Sequence, residues 1–319
     1  MESAWKESIY LQREQLARLL HDPLARLAEQ CAPAWGHREA LNTVLLAGMP
    51  SIPYCKYLYC VNTDAIQVCD NVERGPNGPA ILSGHFERDR SSRPYMQEAV
   101  PVWGFLLADA YISLLNKRPS LTALQVVRRD GQVVGYVGAD FDVRNLPVMA
   151  ERYVESSAWK QIKGDPSIRG NVMHQCRVDS PMDRSIDQSM SIMEELMTQR
   201  GVFQSVIHFS SSRATIWTLD DPYRYRMLDQ EALADPDICL VYPPIAYPND
   251  ALIPQHDVRH VLETIKALRM ADENIYLRSA SINLFNGLIS LTFSCDGSHY
   301  MRWDEFLNKS TEFWFGTAG

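Results

Sequence analysis

Between His85 and Asp142 the chain gathers the side chains best suited to binding chemistry. Asp89-Arg90-Ser91-Ser92-Arg93-Pro94-Tyr95 sets two guanidinium groups beside an aromatic ring. Tyr111-Ile112-Ser113 follows, and a glycine-bearing stretch from Gly131 runs to Asp140. A guanidinium grips a carboxylate through two parallel hydrogen bonds in one plane. An aspartate on a facing wall supplies the opposite charge, and tyrosines give apolar surface with polar tips. These residue types suit recognition of a small polar molecule. They suit equally well a salt bridge between Arg93 and Asp140 with no ligand at all. Arg90 could instead pair with Asp89 or Glu87 at a rim.

Other constellations carry less chemistry. His256 and His260 stand four apart on a helical stretch, but Asp257 occupies the place where a zinc protease needs glutamate, and no third ligand is evident. Cys55, Cys60 and Cys69 lack a zinc spacing and read as buried thiols. Asp220 to Arg226 alternates aromatic and basic residues, as an edge strand or a contact surface would. There is no Gly-x-Ser-x-Gly elbow, no Gly-x-Gly-x-x-Gly loop and no Gly-Lys-Ser/Thr phosphate loop, so neither a metal nor a cofactor is expected. An enzyme would have to place its chemistry in the second half, around His174, His208 or Asp220.

The elements that must position the central residues are legible in outline. Ile9, Leu16, Leu20, Leu24, Leu27 and Cys31 recur at helical spacing, with Asp22-Pro23 expected to kink the helix or start a second one. Arg38 to Ala47 resumes helix. Tyr54 to Val61 and Ala65 to Cys69 read as a hairpin, and Glu73 to Pro79 as loop. Pro94 starts a short helix, and Ala110 to Ser113 is a strand. Leu121 to Arg128 and Gln132 to Phe141 form a hairpin on Asp130-Gly131, with Gly135 and Gly138 marking a bulge or a close approach. Leu146 to Trp159 is expected to be helical. Past Ser180, a capped helix, strands over 202–210 and 214–219, a helix over 255–270 and strands over 275–283 and 288–295 form a second α+β unit. The order helix, hairpin, helix, hairpin loosely echoes the first half.

Length and composition agree with two domains. The chain has 319 residues, 46% hydrophobic and 22% charged. Its net charge of −8 argues against a nucleic-acid partner. No apolar run reaches the roughly 18 residues of a membrane span. Seven cysteines, an odd number scattered through apolar segments, fit reduced thiols, so a cytoplasmic location is expected.

The ordered set Asp89 to Ala99, Tyr111-Ile112-Ser113 and Gly131 to Phe141 resembles the Cache (PDC) domains, the small-molecule sensors of bacterial chemoreceptors, sensor kinases and cyclic-di-nucleotide enzymes. The resemblance covers about residues 36–150. It implies a PAS-like antiparallel sheet with a pocket on one face and a leading helix. The division it suggests is a helical segment over 1–35, the sensor over 36–150, a linker over 151–179 and a second α+β domain over 180–319, whose sheet could be of the same kind. In that family the arginine and nearby aromatics hold a carboxylate, and the hairpin aspartate takes an ammonium. Carried over, Arg93 holds the carboxylate, Tyr95 is the aromatic two residues on, Tyr111 is the pocket tyrosine and Asp140 the closing acid. Arg90 ranks second to Arg93. Met96 replaces a second aromatic, and Ser113 stands where amine-binding members commonly carry aspartate. The implied ligand is an amino acid or small carboxylate. The implied output is contact with a partner protein or a second copy of the chain, possible through the leading helix.

Overall fold

The computed structural model describes residues 4–98, 100–101, 103–114, 117–149, 176–294, 297–309 and 313–314. The chain divides into two compact units, Met1–Arg152 and Tyr153–Gly319. Each combines helices with one antiparallel sheet, an α+β architecture. The expected helix from Leu146 to Trp159 and most of the expected linker lie outside the described residues.

The first unit runs α1 (Ala4–Ala34), α2 (Arg38–Gly48), β1 (Tyr57–Asn62), β2 (Asn71–Gly75), β3 (Gly78–Leu82), α3 (Pro94–Gln97), β4 (Phe105–Leu107), β5 (Tyr111–Ile112), β6 (Pro119–Arg129) and β7 (Gln132–Asp142). The strands order as β3-β2-β1-β7-β6-β4, with β5 also on β6. The leading helix and antiparallel sheet expected from the resemblance are present. Helix α1 packs against β6, β7 and β4 and buries Leu16, Leu20, Leu24, Leu27 and Cys31. It does not break at Asp22-Pro23; Pro23 lies inside it. An interior proline costs about 3 kcal/mol, and each fully buried leucine returns about 1.5–3 kcal/mol, so the leucine stripe on both sides outweighs it.

The first hairpin also differs from expectation. The return strand is β2, not Ala65 to Cys69, and the expected loop from Glu73 to Pro79 spans most of β2 and its tight turn into β3. Residues 65–69 pair through isolated bridges, Val61 with Gln67 and Ile66 with Asp89. Asp70 anchors the start of β2: Arg38 meets its carboxylate at 2.9 Å through two nitrogens, and Asn42 donates to it at 2.8 Å. The Asp130-Gly131 turn has positive φ at both residues (53° and 79°), the geometry of a two-residue hairpin. Both glycines inside β7 have a neighbour where a side chain would be. At Gly135 it is the Trp35 ring, beside a bulge in β6 at Val127/Arg128, and at Gly138 it is the Tyr59 ring.

The second unit runs α4 (Pro181–Arg184), α5 (Ile186–Gln199), β8 (Val202–His208), β9 (Arg213–Thr218), β10 (Asp221–Leu228), α6 (Gln230–Ala234), α7 (Val258–Ala271), β11 (Leu277–Asn283), β12 (Leu288–Phe293), β13 (Ser298–Arg302) and α8 (Trp303–Asn308). The expected cap at Ser180 is present as a reciprocal box with Asp183. Asp183 is also gripped by Arg269 at 2.9 and 2.6 Å, with both side chains buried. The sheet orders as β10-β9-β8-β11-β12-β13. Here the first strand, β8, lies beside β11, the strand directly after α7. In the first unit the first strand lies beside the last, β7. The second sheet is therefore wired differently from the first, and the echo in element order is not a repeat.

Candidate functional site

The first unit holds a cavity of about 340 Å³ lined by Arg88, Arg90, Arg93, Tyr95, Tyr111, Ser113 and Asp140, with Lys56, Tyr57, Asn71, His85 and Ser120 among its other walls. That volume suits a metabolite of modest size. Its walls come from separate elements. Residues 85–95 supply the arginines and Tyr95, β5 supplies Tyr111, and the end of β7 supplies Asp140.

Beneath the cavity lies a layer of buried polar side chains that satisfy one another. Arg90 is 5% exposed and spreads its guanidinium over three partners: Nε donates to Gln67 Oε1 at 2.8 Å, Nη1 to Tyr95 Oη at 3.0 Å and Nη2 to Asn71 Oδ1 at 3.1 Å. Gln67 donates in turn to Asn71 Oδ1 at 2.8 Å and to the Cys69 carbonyl at 2.9 Å. The guanidinium stacks on the Tyr59 ring, 3.8 Å from its centroid. Burial works to lower the Arg90 pKa, but Tyr59, Tyr95 and Asp140 outweigh it and keep the group firmly charged.

Asp140 is held from one side only. Tyr59 Oη and Thr122 Oγ1 both donate to its Oδ1 at 2.8 Å. Its second oxygen takes no hydrogen bond among the described residues, and the residue keeps partial exposure. Burial pushes the Asp140 pKa up, against the pull of Arg90, Thr122, Tyr59 and Arg93. Thr122 has one hydroxyl hydrogen, and with Asp140 ionised that hydrogen is committed to the carboxylate. In the 3.0 Å contact between Tyr111 and Thr122 the tyrosine is therefore the donor. Tyr111 Oη thus keeps acceptor capacity in the cavity that Asp140 also lines. Its ring lies 5.9 Å from that of Tyr95.

Arg93 caps α3 with its backbone and is half-buried at the cavity wall. Its side chain makes no hydrogen bond or ion pair among the described residues. The salt bridge between Arg93 and Asp140 that the residue types allowed is not formed. Pairing of Arg90 with Asp89 or Glu87 at a rim is not formed either. Asp89 accepts from the Ser91 amide at 2.8 Å, and Arg90 is the centre of the buried layer. The physical reason is the bridge of Ile66 to Asp89, which turns Arg90 toward Gln67 and Asn71.

All six residues expected at the site, Arg90, Arg93, Tyr95, Tyr111, Ser113 and Asp140, line this one cavity. Tyr95 is only 1% exposed and serves the buried layer more than the wall. Tyr59, Gln67, Asn71 and Thr122 were not singled out by type or spacing. The usable signal was strand alternation, because Thr122 faces Asp140 across β6 and β7 and Tyr57 faces it across β1. His256 and His260 lie beside Asp257 at 3.4 and 3.3 Å, both exposed. Cys55, Cys60 and Cys69 are buried, and Cys69 Sγ accepts from the Cys60 amide at 3.1 Å. His174 lies outside the described residues, and His208 on β8 has its pKa lowered by burial.

No family model and no curated protein matches the chain. Solved structures similar to it include the ligand-binding domain of the Campylobacter jejuni chemoreceptor Tlp3 in complex with L-valine, at 14% identity and a TM-score of 0.34, covering 44% of this chain and 56% of that one. The ligand-binding domain of the Pseudomonas fluorescens chemoreceptor CtaA in complex with L-isoleucine matches at 17% identity and a TM-score of 0.31, covering 43% and 52%. The Bacillus subtilis YkuI protein, with an EAL domain and in complex with c-di-GMP and calcium, matches at 18% and 0.33, covering 42% and 33%. The chain thus spans little more than half of the chemoreceptor domains it matches.

Proposed function

We propose that the first unit is a sensor for a small carboxylate-bearing metabolite, with an α-amino acid as the best fit. One observation carries this reading: an uncommitted guanidinium, Arg93, and an uncommitted carboxylate oxygen on Asp140 share the wall of one cavity without meeting each other. A molecule bearing a carboxylate next to an ammonium completes both. The carboxylate takes the planar fork of Arg93. The ammonium donates to Asp140 and to the free lone pair of Tyr111. The buried layer below is already satisfied, so it holds these groups in place rather than competing for the ligand.

Binding would shift the unit between arrangements that differ in affinity, and the change would pass to a partner protein or a second copy of the chain. No described helix is long and apolar enough to cross a membrane. The cysteines among the described residues are free thiols, which supports a cytoplasmic setting for this sensor. The test is a thermal-shift screen of the full chain against amino acids and small carboxylates, repeated with Arg93→Ala. The stabilising ligand of the unmodified chain should leave the variant's melting temperature unmoved. Equal stabilisation of both proteins overturns the assignment of Arg93.

A further inference from the structure

The cavity carries more positive charge than one carboxylate needs. Of the charged groups in its wall, Lys56 is neutralised by Glu73 at 2.7 Å and Asp142 by Arg144 at 3.2 Å. What remains is Arg88, Arg90 and Arg93 against the single acid Asp140. Asp140 and Arg90 are already accounted for, one by the ammonium and the other by the buried layer. Arg93 takes the first carboxylate. Arg88 is left over, and its side chain has no hydrogen bond or ion pair among the described residues.

Its position is built rather than incidental. The Arg88 carbonyl accepts from the Gln67 amide at 2.9 Å, the Glu87 amide donates back to Gln67 at 2.8 Å, and the Arg90 amide donates to the Ala65 carbonyl at 2.9 Å. Glu87 turns the chain with a φ of +62°, and from there the bridge of Ile66 to Asp89 makes residues 88–90 an extended segment in which alternate side chains share a side. Arg88 therefore falls on the same side as Arg90, the cavity side, while the acidic Asp89 between them is turned away from it. The same alternation that buries Arg90 aims Arg88 at the mouth.

We infer that Arg88 is a specificity-determining residue for a second anionic group, and that the ligand is an acidic one: an amino acid with a carboxylate side chain. The inference rests on the reading of Arg93 and Asp140 as the anchor of the ligand's amino-acid end. An uncharged side chain of the same shape leaves Arg88, exposed at the cavity mouth, without a counter-charge. A basic side chain meets it with like charge.

The test compares L-glutamate with L-glutamine, and L-aspartate with L-asparagine, by titration calorimetry on the full chain. The two members of each pair differ chiefly in the charge of the distal group. The acid of at least one pair should bind about tenfold or more tightly than its amide, as one charge-assisted hydrogen bond supplies. Arg88→Gln should bring the acid down to the level of the amide while leaving the amide's affinity as it was. Arg93→Gln should weaken both members alike. Equal binding of acid and amide, or an Arg88→Gln variant that weakens both equally, overturns the inference and leaves the anchor standing. If neither pair binds the unmodified chain, the inference falls.

Discussion

At the residue scale the site separates two arginines that look interchangeable in sequence. Arg90 and Arg93 are three positions apart, each followed by a serine or proline. One is a structural centre and the other is free. The difference is set by Gln67 and Asn71, about twenty residues upstream, which accept from Arg90. Removing Arg90 breaks three buried hydrogen bonds and leaves Gln67 Oε1 without its donor, so Arg90→Ala should cost about 3 kcal/mol or more in denaturant unfolding. Arg90→Lys should not restore it, because an ammonium cannot serve three directions in one plane. Arg93→Ala should leave stability within about 0.5 kcal/mol, since it breaks no bond. Asp140 adds a pH dependence. Its folded-state pKa is raised, so the fold holds its proton more tightly than the unfolded chain does. This contribution is fully present below the unfolded carboxyl value near about 3.9 and is lost as pH rises through the folded value. Asp140→Asn should therefore hold or raise the unliganded melting temperature at neutral pH, and weaken an ammonium-bearing ligand about 10- to 100-fold by calorimetry. A large loss of unliganded stability would mean that the ionised acid is what holds Tyr59 and Thr122.

At the element scale, the fold was most readable where local chemistry decides it. The Asp130-Gly131 hairpin and the Ser180 cap each need only a few adjacent residues, and both stand as expected. The fold is less readable where distant packing decides. Local rules at Asp22-Pro23 leave one kinked helix or two helices open, and α1 runs on as one helix because its leucines lie on the sheet. Residues 65–69 have strand composition and bond to Cys60, Val61 and Asn62 of β1, but they share these bonds with the loop that carries Arg88 and Arg90, which no local pattern announces. Glycine inside β7 was legible as a close approach, and the approaching group is the ring that supports the site. A methyl at Gly138 would overlap Tyr59, which bonds Asp140 and underlies Arg90. Gly138→Ala should cost about 1–3 kcal/mol from overpacking and also weaken ligand binding, although Gly138 is not in the cavity wall. A variant that loses stability but keeps full affinity would show that Tyr59 does not position Asp140. Helix α1 touches the site's supports as well. Arg13 donates to the carbonyls of Leu107 and Ala108 ahead of β5, and Gln12 holds Pro147 and Met149 beyond β7.

At the scale of the whole molecule, a chain of net charge −8 encloses a cavity whose unpaired groups are mostly cationic. That contrast sets local recognition apart from the overall field, which governs solubility. The first unit has its own helix, sheet and cavity. Residues 1–152 alone should unfold in one cooperative transition and respond to the same ligands as the full chain, as followed by circular dichroism and thermal shift. Loss of the response in a folded fragment would place part of the site in the second unit. The central claim is that Arg93 and Asp140 are two uncommitted poles awaiting one molecule. Calorimetric titration of amino acids into the full chain and into Arg93→Ala tests it most directly. Saturable binding to the full chain, lost in a variant that melts at the unchanged temperature, is the result predicted. Binding of the same ligand to both proteins with equal affinity would contradict it.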